Sequence, residues 1–164
     1  FLDGVGAATA KQLGLAGSFA AGSDVPGKTV PLPPTTATVN GTDGNDGLKG
    51  GAGADLILGG AGSDDLQGLG GNDVLRGGKG HDGLTGGAGV DMFVFARGDG
   101  DDWVVDFAPG VEKIRLEGIT AGQMVQTVET RWGMIGLELD FGGGDEMFLQ
   151  GVAQKLAAAD LVFA

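Results

Sequence analysis

The chain has 164 residues, 36 of them glycine and none cysteine, and a formal charge of −12. Its acids are spread, leaving −5 over residues 41–94, −3 over 96–110 and −4 over 111–164, so no clustered Lys and Arg offer a nucleic-acid face. A disulfide framework is excluded, no apolar run approaches the ~20 residues of a membrane span, and the opening residues do not read as a charged-then-apolar leader.

Residues 1–39 read as a linker or as the end of an upstream domain. They open on Phe1 rather than methionine, which points to a piece of a larger protein. Ala7–Leu15 predicts a short helix, interrupted by Gly14 and Gly17. Pro26, Pro31, Pro33 and Pro34, with a threonine-rich run, then predict an extended segment.

From Gly41 to Val94 the chain reads GTDGNDGLK, GGAGADLIL, GGAGSDDLQ, GLGGNDVLR, GGKGHDGLT and GGAGVDMFV, six nonapeptides without an insertion. Position six is always aspartate: Asp46, Asp55, Asp64, Asp73, Asp82 and Asp91. Positions one and four are always glycine, and position eight is always apolar. With 17 aspartates in 164 residues, that register arises by chance about once in a million, and a fixed period denotes architecture. The glycine-rich first six positions cannot hold a helix but suit a tight turn with inward carbonyls. The last three predict a very short strand with its central apolar side chain inward. Two repeats make one coil of eighteen residues, so six stack as three coils. Leu48, Leu66 and Leu84 then line one side of the interior, and Ile57, Leu75 and Phe93 the other.

Residues eighteen apart lie above one another in such a stack. One edge carries Asp46, Asp64 and Asp82; the other carries Asp55, Asp73 and Asp91. Two carboxylates ~5 Å apart repel by roughly 3 kcal/mol at an effective dielectric near 20. So thin a core cannot absorb several such terms. A hard divalent cation between adjacent turns reverses the sign. It would take two carboxylates and turn carbonyls, here those of Gly44, Gly51, Gly53, Gly60, Gly62, Gly71, Gly78, Gly80, Gly87 and Gly89. About six oxygens in a flexible cage suit calcium better than magnesium, and the gaps between turns predict about four ions or more. Asp43, extra at position three of the first repeat, either completes a shell at the open end or is a solvated loop acid. Thr42 and Leu69 replace glycine at position two, where a positive φ would strain them. A solvated acidic linker would not hold this register.

The repeats resemble the G-G-x-G-x-D-x-U-x nonapeptide of RTX proteins, the calcium-binding parallel β-roll. That resemblance implies an all-β chain, with a right-handed parallel β-roll over 40–95 and a C-terminal β cap over 96–164. Arg97–Phe107 followed by Gly110–Leu116 resembles the segment that closes RTX rolls in serralysin-type secreted proteases. In that family the aspartates of the closing G-D-G-x-D turn supply the last calcium ligands, which here are Asp99 and Asp102, with Asp101 between them. The alternative is an acidic turn facing solvent. RTX proteins leave Gram-negative cells unfolded through a type I secretion apparatus that reads an uncleaved C-terminal signal. Ala157–Ala164 is similar to the acidic-then-apolar end of that signal, so the setting it implies is extracellular or at the cell surface.

Beyond the repeats, Met92–Phe95, Trp103–Val105 and Lys113–Leu116 predict short strands. Met124–Val128, Met134–Leu139 and Asp145–Leu149 alternate as strands do, with Gly142–Gly144 as a hairpin turn. Leu156–Ala159 predicts one helical turn before a terminal strand. The single histidine, His81, occupies a variable repeat position that faces solvent, and neither H-E-x-x-H nor G-x-S-x-G occurs. Gly78–Gly83 satisfies G-x-G-x-x-G only because two nonapeptides meet there. Trp103 and Trp132 read as core or cap anchors ahead of sugar platforms. The expected function is a non-catalytic calcium-binding module of a larger secreted protein, unfolded inside the cell and folded outside by calcium at ~10⁻⁴–10⁻³ M. One alternative is an acidic-polysaccharide-binding module resembling the R-modules of mannuronan epimerases. A basic stripe of Lys49, Arg76, Lys79, Arg97, Arg115 and Arg131 on one face would favour it. The other alternative is an anchor of an adhesin or surface-layer protein.

Overall fold

A computed structural model describes residues 37–164, so the helix expected over 7–15 and the proline-rich segment over 26–34 lie outside the described residues. The chain forms β1 (Ala37–Asn40), β2 (Gly47–Lys49), β3 (Asp55–Ala61), β4 (Asp65–Gly70), β5 (Val74–Lys79), β6 (Gly83–Ala88) and β7 (Met92–Ala96). It continues with β8 (Asp101–Val104), β9 (Lys113–Glu117), β10 (Val125–Arg131), β11 (Met134–Gly142), β12 (Asp145–Gln150) and β13 (Leu161–Phe163). Successive strands from β1 to β10 alternate between two sheets. One sheet has the order β1-β3-β5-β7-β9-β13, all parallel. The other has the order β2-β4-β6-β8-β12 in parallel, finished by antiparallel β11 and β10. This is a parallel β-roll.

The eighteen-residue register is explicit in the pairing. Leu48 lies against Leu66 and Leu66 against Leu84, while Ile57 lies against Leu75 and Leu75 against Phe93. Leu66, Leu84, Ile57, Leu75 and Phe93 are fully buried, as the interior column requires. Two details differ from the sequence reading. The strands are longer than three residues: β3 starts at the repeat's aspartate and runs through the first three positions of the next repeat. Glycines there carry no side chain to obstruct pairing, and Gly60 pairs with Gly78 in the ladder. The three coils are also part of a longer stack, since Val39 pairs with Ile57 before them, and Val104 and Ile114 extend the two columns after them.

That extension thickens the core. Phe93 packs on Phe107 with ring centroids 6.0 Å apart, and Phe95 packs on Phe141 at 4.8 Å. Ile114, Leu116, Leu137, Leu139, Met147 and Leu149 complete one continuous cluster from the repeats to the cap. A second, smaller cluster of Leu56, Val74 and Val94 lies on the opposite face of the first sheet, because neighbours along a strand point to opposite sides. The C-terminal strands arrive largely as predicted. β11 and β12 form a hairpin, and a 3-10 turn at Ala158–Asp160 leads into β13. No helix among the described residues is long and apolar enough to cross a membrane.

Leu69 is the one repeat residue other than glycine with a positive φ, +76° at position two; Thr42, at the same position of the first repeat, escapes it. A left-handed conformation costs an L-residue ~1–2 kcal/mol, of which glycine's larger unfolded-state entropy returns ~0.4–1 kcal/mol. Leu69 is 49% exposed, so little packing is at stake. Leu69→Gly should therefore stabilise the calcium-loaded protein by about 0.5 kcal/mol, read as a higher thermal midpoint. An unchanged or lower midpoint would show that the leucine side chain compensates for its backbone.

Candidate metal centre

The position-six aspartates form two ladders along the edges of the roll. Asp46 donates its N–H to Asp64 Oδ1 and Asp64 its N–H to Asp82 Oδ1, both at 2.8 Å. On the other edge Asp55 donates to Asp73 Oδ1 and Asp73 to Asp91 Oδ1, again at 2.8 Å. One carboxylate oxygen per residue is thus spent on the coil before it. The other oxygen, Oδ2 of Asp64, Asp73, Asp82 and Asp91, is buried and receives no hydrogen bond. A buried acceptor left unpaired costs ~1–3 kcal/mol, more when charged. The terminal turns differ. Asp46 Oδ2 accepts the Thr42 N–H (2.6 Å) and hydroxyl (2.8 Å), and Asp55 Oδ2 accepts the Gly51 N–H at 2.6 Å.

The free oxygens border small spaces that only glycine leaves open. A Cβ at Gly50 would stand 2.7 Å from both Asp55 Oδ2 and the Gly68 carbonyl oxygen. The equivalent spot at Gly59 meets Asp64 Oδ2 and the Gly77 carbonyl, and at Gly68 it meets Asp73 Oδ2 and the Gly86 carbonyl. The carbonyls of Gly59, Gly68, Gly77 and Gly86, the first glycines of their repeats, therefore border the carboxylates, oxygens that the sequence reading did not include beside those of positions two and four. Position-two carbonyls also serve the ladder, as where Gly51 accepts the Gly70 N–H at 3.1 Å. Those at position four point up the stack, so that a side chain on Gly80, at φ +142°, would strike the Gly62 carbonyl. Gly80 in turn accepts the Asp101 N–H at 3.1 Å. The fixed positions of Gly60, Gly71, Gly78, Gly87 and Gly89 follow from the same close stacking of turn on turn, with Gly71 lying over Gly53 and Gly62 over Gly44. Among the described residues no three His, Asp or Glu side chains form a metal cage by themselves, so any cation held here depends on backbone oxygens. Orphaned carboxylate oxygens beside carbonyls form an all-oxygen donor set, which fits calcium.

Asp102 joins one ladder. Its Oδ1 accepts the Asp82 N–H at 3.2 Å, and its Oδ2 is buried and unpaired. Asp99 is buried near Asp82 and Asp102, but its Oδ2 accepts the Ala96 N–H at 2.8 Å and lies 3.6 Å from the Arg76 guanidinium. Asp101 and His81 are at the surface, 3.4 Å apart. Asp43 is exposed on the first turn. At the other edge two acids outside the repeat pattern close the stack. Asp106 accepts the Gly86 and Gly87 N–H groups at 2.9 and 2.8 Å, and buried Glu112 accepts the Ala108 N–H at 2.9 Å within reach of Asp91 and Asp106. No period marks them, so only tertiary placement reveals them.

Residues 37–66 and 58–93 match the RTX calcium-binding nonapeptide repeat. The AlgE6R3 subunit of the mannuronan C5-epimerase from Azotobacter vinelandii shares 33% identity over 82% of this chain and 87% of its own, with a TM-score of 0.61. The chain belongs to the RTX calcium-binding repeat family. The AlgE6R2 subunit of that enzyme matches 77% of this chain and 92% of its own at 34% identity and a TM-score of 0.62. The extracellular lipase LipA of Serratia marcescens matches 77% of this chain at 27% identity and a TM-score of 0.66, over only 21% of the lipase. Comparison with curated proteins gives no match. The RTX ladder described above is thus a calcium-binding repeat module.

Burial is the main force that raises the acid pKa values here. It pushes Asp102 up to about 9, helped by the Asp82 carboxylate, and Glu112 up to about 7, helped by Asp91 and Asp106. Burial likewise raises Asp73, Asp82 and Asp91. In the unfolded chain these acids titrate near 4. A raised folded value means that the calcium-free fold binds protons more tightly than the unfolded chain. That stabilisation is complete below about pH 4 and is lost as pH rises through the folded values. In chelator, the β-sheet circular dichroism signal should therefore grow as pH falls from 7 towards about 4.5; a signal that weakens over that range would contradict it. Calcium should show the opposite trend, with its midpoint rising as protons compete for the same oxygens.

Single ligands should differ by place. Asp64 and Asp73 lie inside their ladders with a buried Oδ2 that has no donor, whereas Asp46 is the first of its ladder and its Oδ2 already holds the Thr42 N–H and hydroxyl. Asp64→Ala or Asp73→Ala should raise the calcium midpoint by about tenfold or more, equivalent to ~1.4 kcal/mol, and Asp46→Ala distinctly less. Equal midpoints in titrations followed by circular dichroism would refute the division into interior and terminal turns.

Proposed function

We propose that this module holds a larger secreted protein unfolded inside the cell and folds it outside, with calcium as the trigger. The observation that carries the proposal is the row of buried carboxylate oxygens without a donor, from Asp64 to Asp102. Each is a liability in a calcium-free fold and a ligand in a calcium-loaded one. The ligands we propose are Asp46, Asp55, Asp64, Asp73, Asp82, Asp91 and Asp102 with neighbouring glycine carbonyls. Four aspartates on one edge and three on the other border five gaps. Anything that binds the folded state alone stabilises it by mass action, so scarce cytosolic calcium leaves the chain threadable and abundant external calcium closes it.

The division into a roll over 40–95 and a cap with an export signal over 96–164 belongs to this reading. The segment resembling a type I secretion signal, Ala157–Ala164, holds a folded place: β13 pairs with β9, and Asp160 accepts the Gly110 N–H at 2.9 Å and lies 3.8 Å from Lys113. An export apparatus would meet that segment free only on the unfolded chain. The relation to an extracellular lipase supports an extracellular setting. The module binds rather than catalyses, and any chemistry belongs to domains joined to it.

A second reading, polysaccharide binding, is favoured by the likeness to epimerase subunits and by Trp132, which at 76% exposure is no core anchor. The expected basic stripe does not support an acidic glycan. Lys49 and Arg131 lie in one sheet and Arg76, Lys79 and Arg115 in the other, while Arg76 and Arg115 both pair with Glu117.

The test of the folding role is a calcium titration. Circular dichroism should report a largely unordered chain in chelator at neutral pH and β-structure at calcium of ~1 mM, with magnesium a poor substitute. A chain fully folded in chelator would end the proposal while leaving the fold intact.

A further inference from the structure

The outer face of the second sheet carries an aromatic cleft of about 470 Å³, bordered on one side by the ladder residues Asp82 and Asp102 and on the other by rings that take no part in the ladders. Trp103 on β8 is the register partner of Phe148 on β12, and their rings meet edge to face at 5.2 Å. On the other side Trp103 pairs with Gly83, which brings no side chain to close the cleft. Trp132, in the turn between β10 and β11, stacks on Trp103 with centroids 5.0 Å apart and ring planes 17° apart.

The walls are fixed in place. Trp103 Nε1 donates to Gln150 Oε1 at 3.0 Å. Arg131 lies 5.2 Å above the Phe148 ring and donates through both terminal nitrogens to Glu146, at 2.8 and 3.1 Å. Glu129 and Glu138 also pair with it. Against this rigid frame Trp132 is the exposed element, and its backbone is held at φ +48° beside Gly133 at φ +82°. A two-residue hairpin turn with both φ values positive prefers Asn-Gly. A strained aromatic here keeps a large ring facing solvent, an arrangement found where strain serves a site.

We infer that this cleft binds an uncharged saccharide chain, with one pyranose ring laid on the exposed face of Trp132, which Trp103 backs; this rests on the polysaccharide-binding reading. Aromatic faces take the apolar CH face of a sugar, and a few polar groups at the rim fix its orientation. The charge at the rim selects the class. Arg131 is outnumbered by the three carboxylates it pairs with, Glu129, Glu138 and Glu146, and Asp101 adds another at the rim, so a uronate would meet repulsion. Sugar hydroxyls instead meet the Asp101 carboxylate and the His81 ring, whose side chains are 40% and 72% exposed.

Trp103 and Trp132 are the chain's two tryptophans, so intrinsic tryptophan fluorescence reports on this cleft alone. Calcium-loaded protein, checked for folding by circular dichroism, is titrated with cellohexaose, maltohexaose and β-1,4-mannohexaose, and with hexamannuronate as the acidic counterpart. The expected result is a saturable emission change with at least one neutral hexaose, at least about tenfold tighter than with hexamannuronate. Trp132→Asn should abolish it while leaving the calcium midpoint unchanged or lower, because asparagine relaxes the turn. His81→Ala, at an exposed position outside the ladders, should weaken binding severalfold with folding unaltered. Should Trp132→Asn fail to fold, His81→Ala decides, and undiminished binding there overturns the inference. A response that survives in folded Trp132→Asn also overturns it. Hexamannuronate binding as tightly as the neutral chains overturns the uncharged class and leaves polysaccharide binding standing. Silence towards every saccharide overturns both.

Discussion

Each interior turn of the roll holds a carboxylate with one oxygen spent and one buried without a donor. Oδ1 of Asp64, Asp73, Asp82, Asp91 and Asp102 receives the N–H of the aspartate one coil earlier, and Oδ2 of the first four faces glycine backbone. The stacking that lets the parallel ladder form also brings like charges into line and removes them from water. Both effects favour protonation, as the raised values of Asp102 and Glu112 show. A divalent cation among these oxygens would remove the same penalty without protons.

Glycine sets how closely the turns approach. The carbonyl of one turn lies where the next turn's Cβ would be at Gly62, Gly71, Gly78 and Gly80. Larger residues would separate the turns and disperse the oxygens. Leu69, at positive φ, and Thr42, whose N–H and hydroxyl engage Asp46, show two outcomes of placing another residue at position two. One is strained within the stack. The other lies in the first turn of the described residues, with no earlier coil among them to meet.

The cap continues the roll's two sheets. Phe95, Leu116, Leu139 and Leu149 belong to the same cluster as Leu66 and Leu75. Calcium-bearing coils and C-terminal strands therefore share one core, and charge neutralisation in the turns is linked to packing in the cap. The outer faces differ in kind. Position seven of the repeats alternates Gly47, Leu56, Asp65, Val74, Gly83 and Met92, so one sheet carries an apolar outer row and the other a polar, open one. On the open face, beside Gly83, the tryptophan cleft has room.

Much of this was legible in the residues because a nonapeptide period constrains every coil alike. The two aspartate ladders, the inward Leu, Ile and Phe columns and the oxygen-rich, calcium-fitting turns all follow from spacing alone. The alternation at position seven was equally present, an eighteen-residue period within the nine. What escaped had no period: Asp106 and Glu112 at the end of one ladder, Arg76 reaching Asp99 and Glu117 across coils, and the stacking of Trp132 on Trp103 from 29 positions along the chain. Repetition determines local geometry, since each turn meets only a copy of itself. Where the copies stop, partners are chosen by how irregular strands pack, and only the tertiary structure decides which side chains meet.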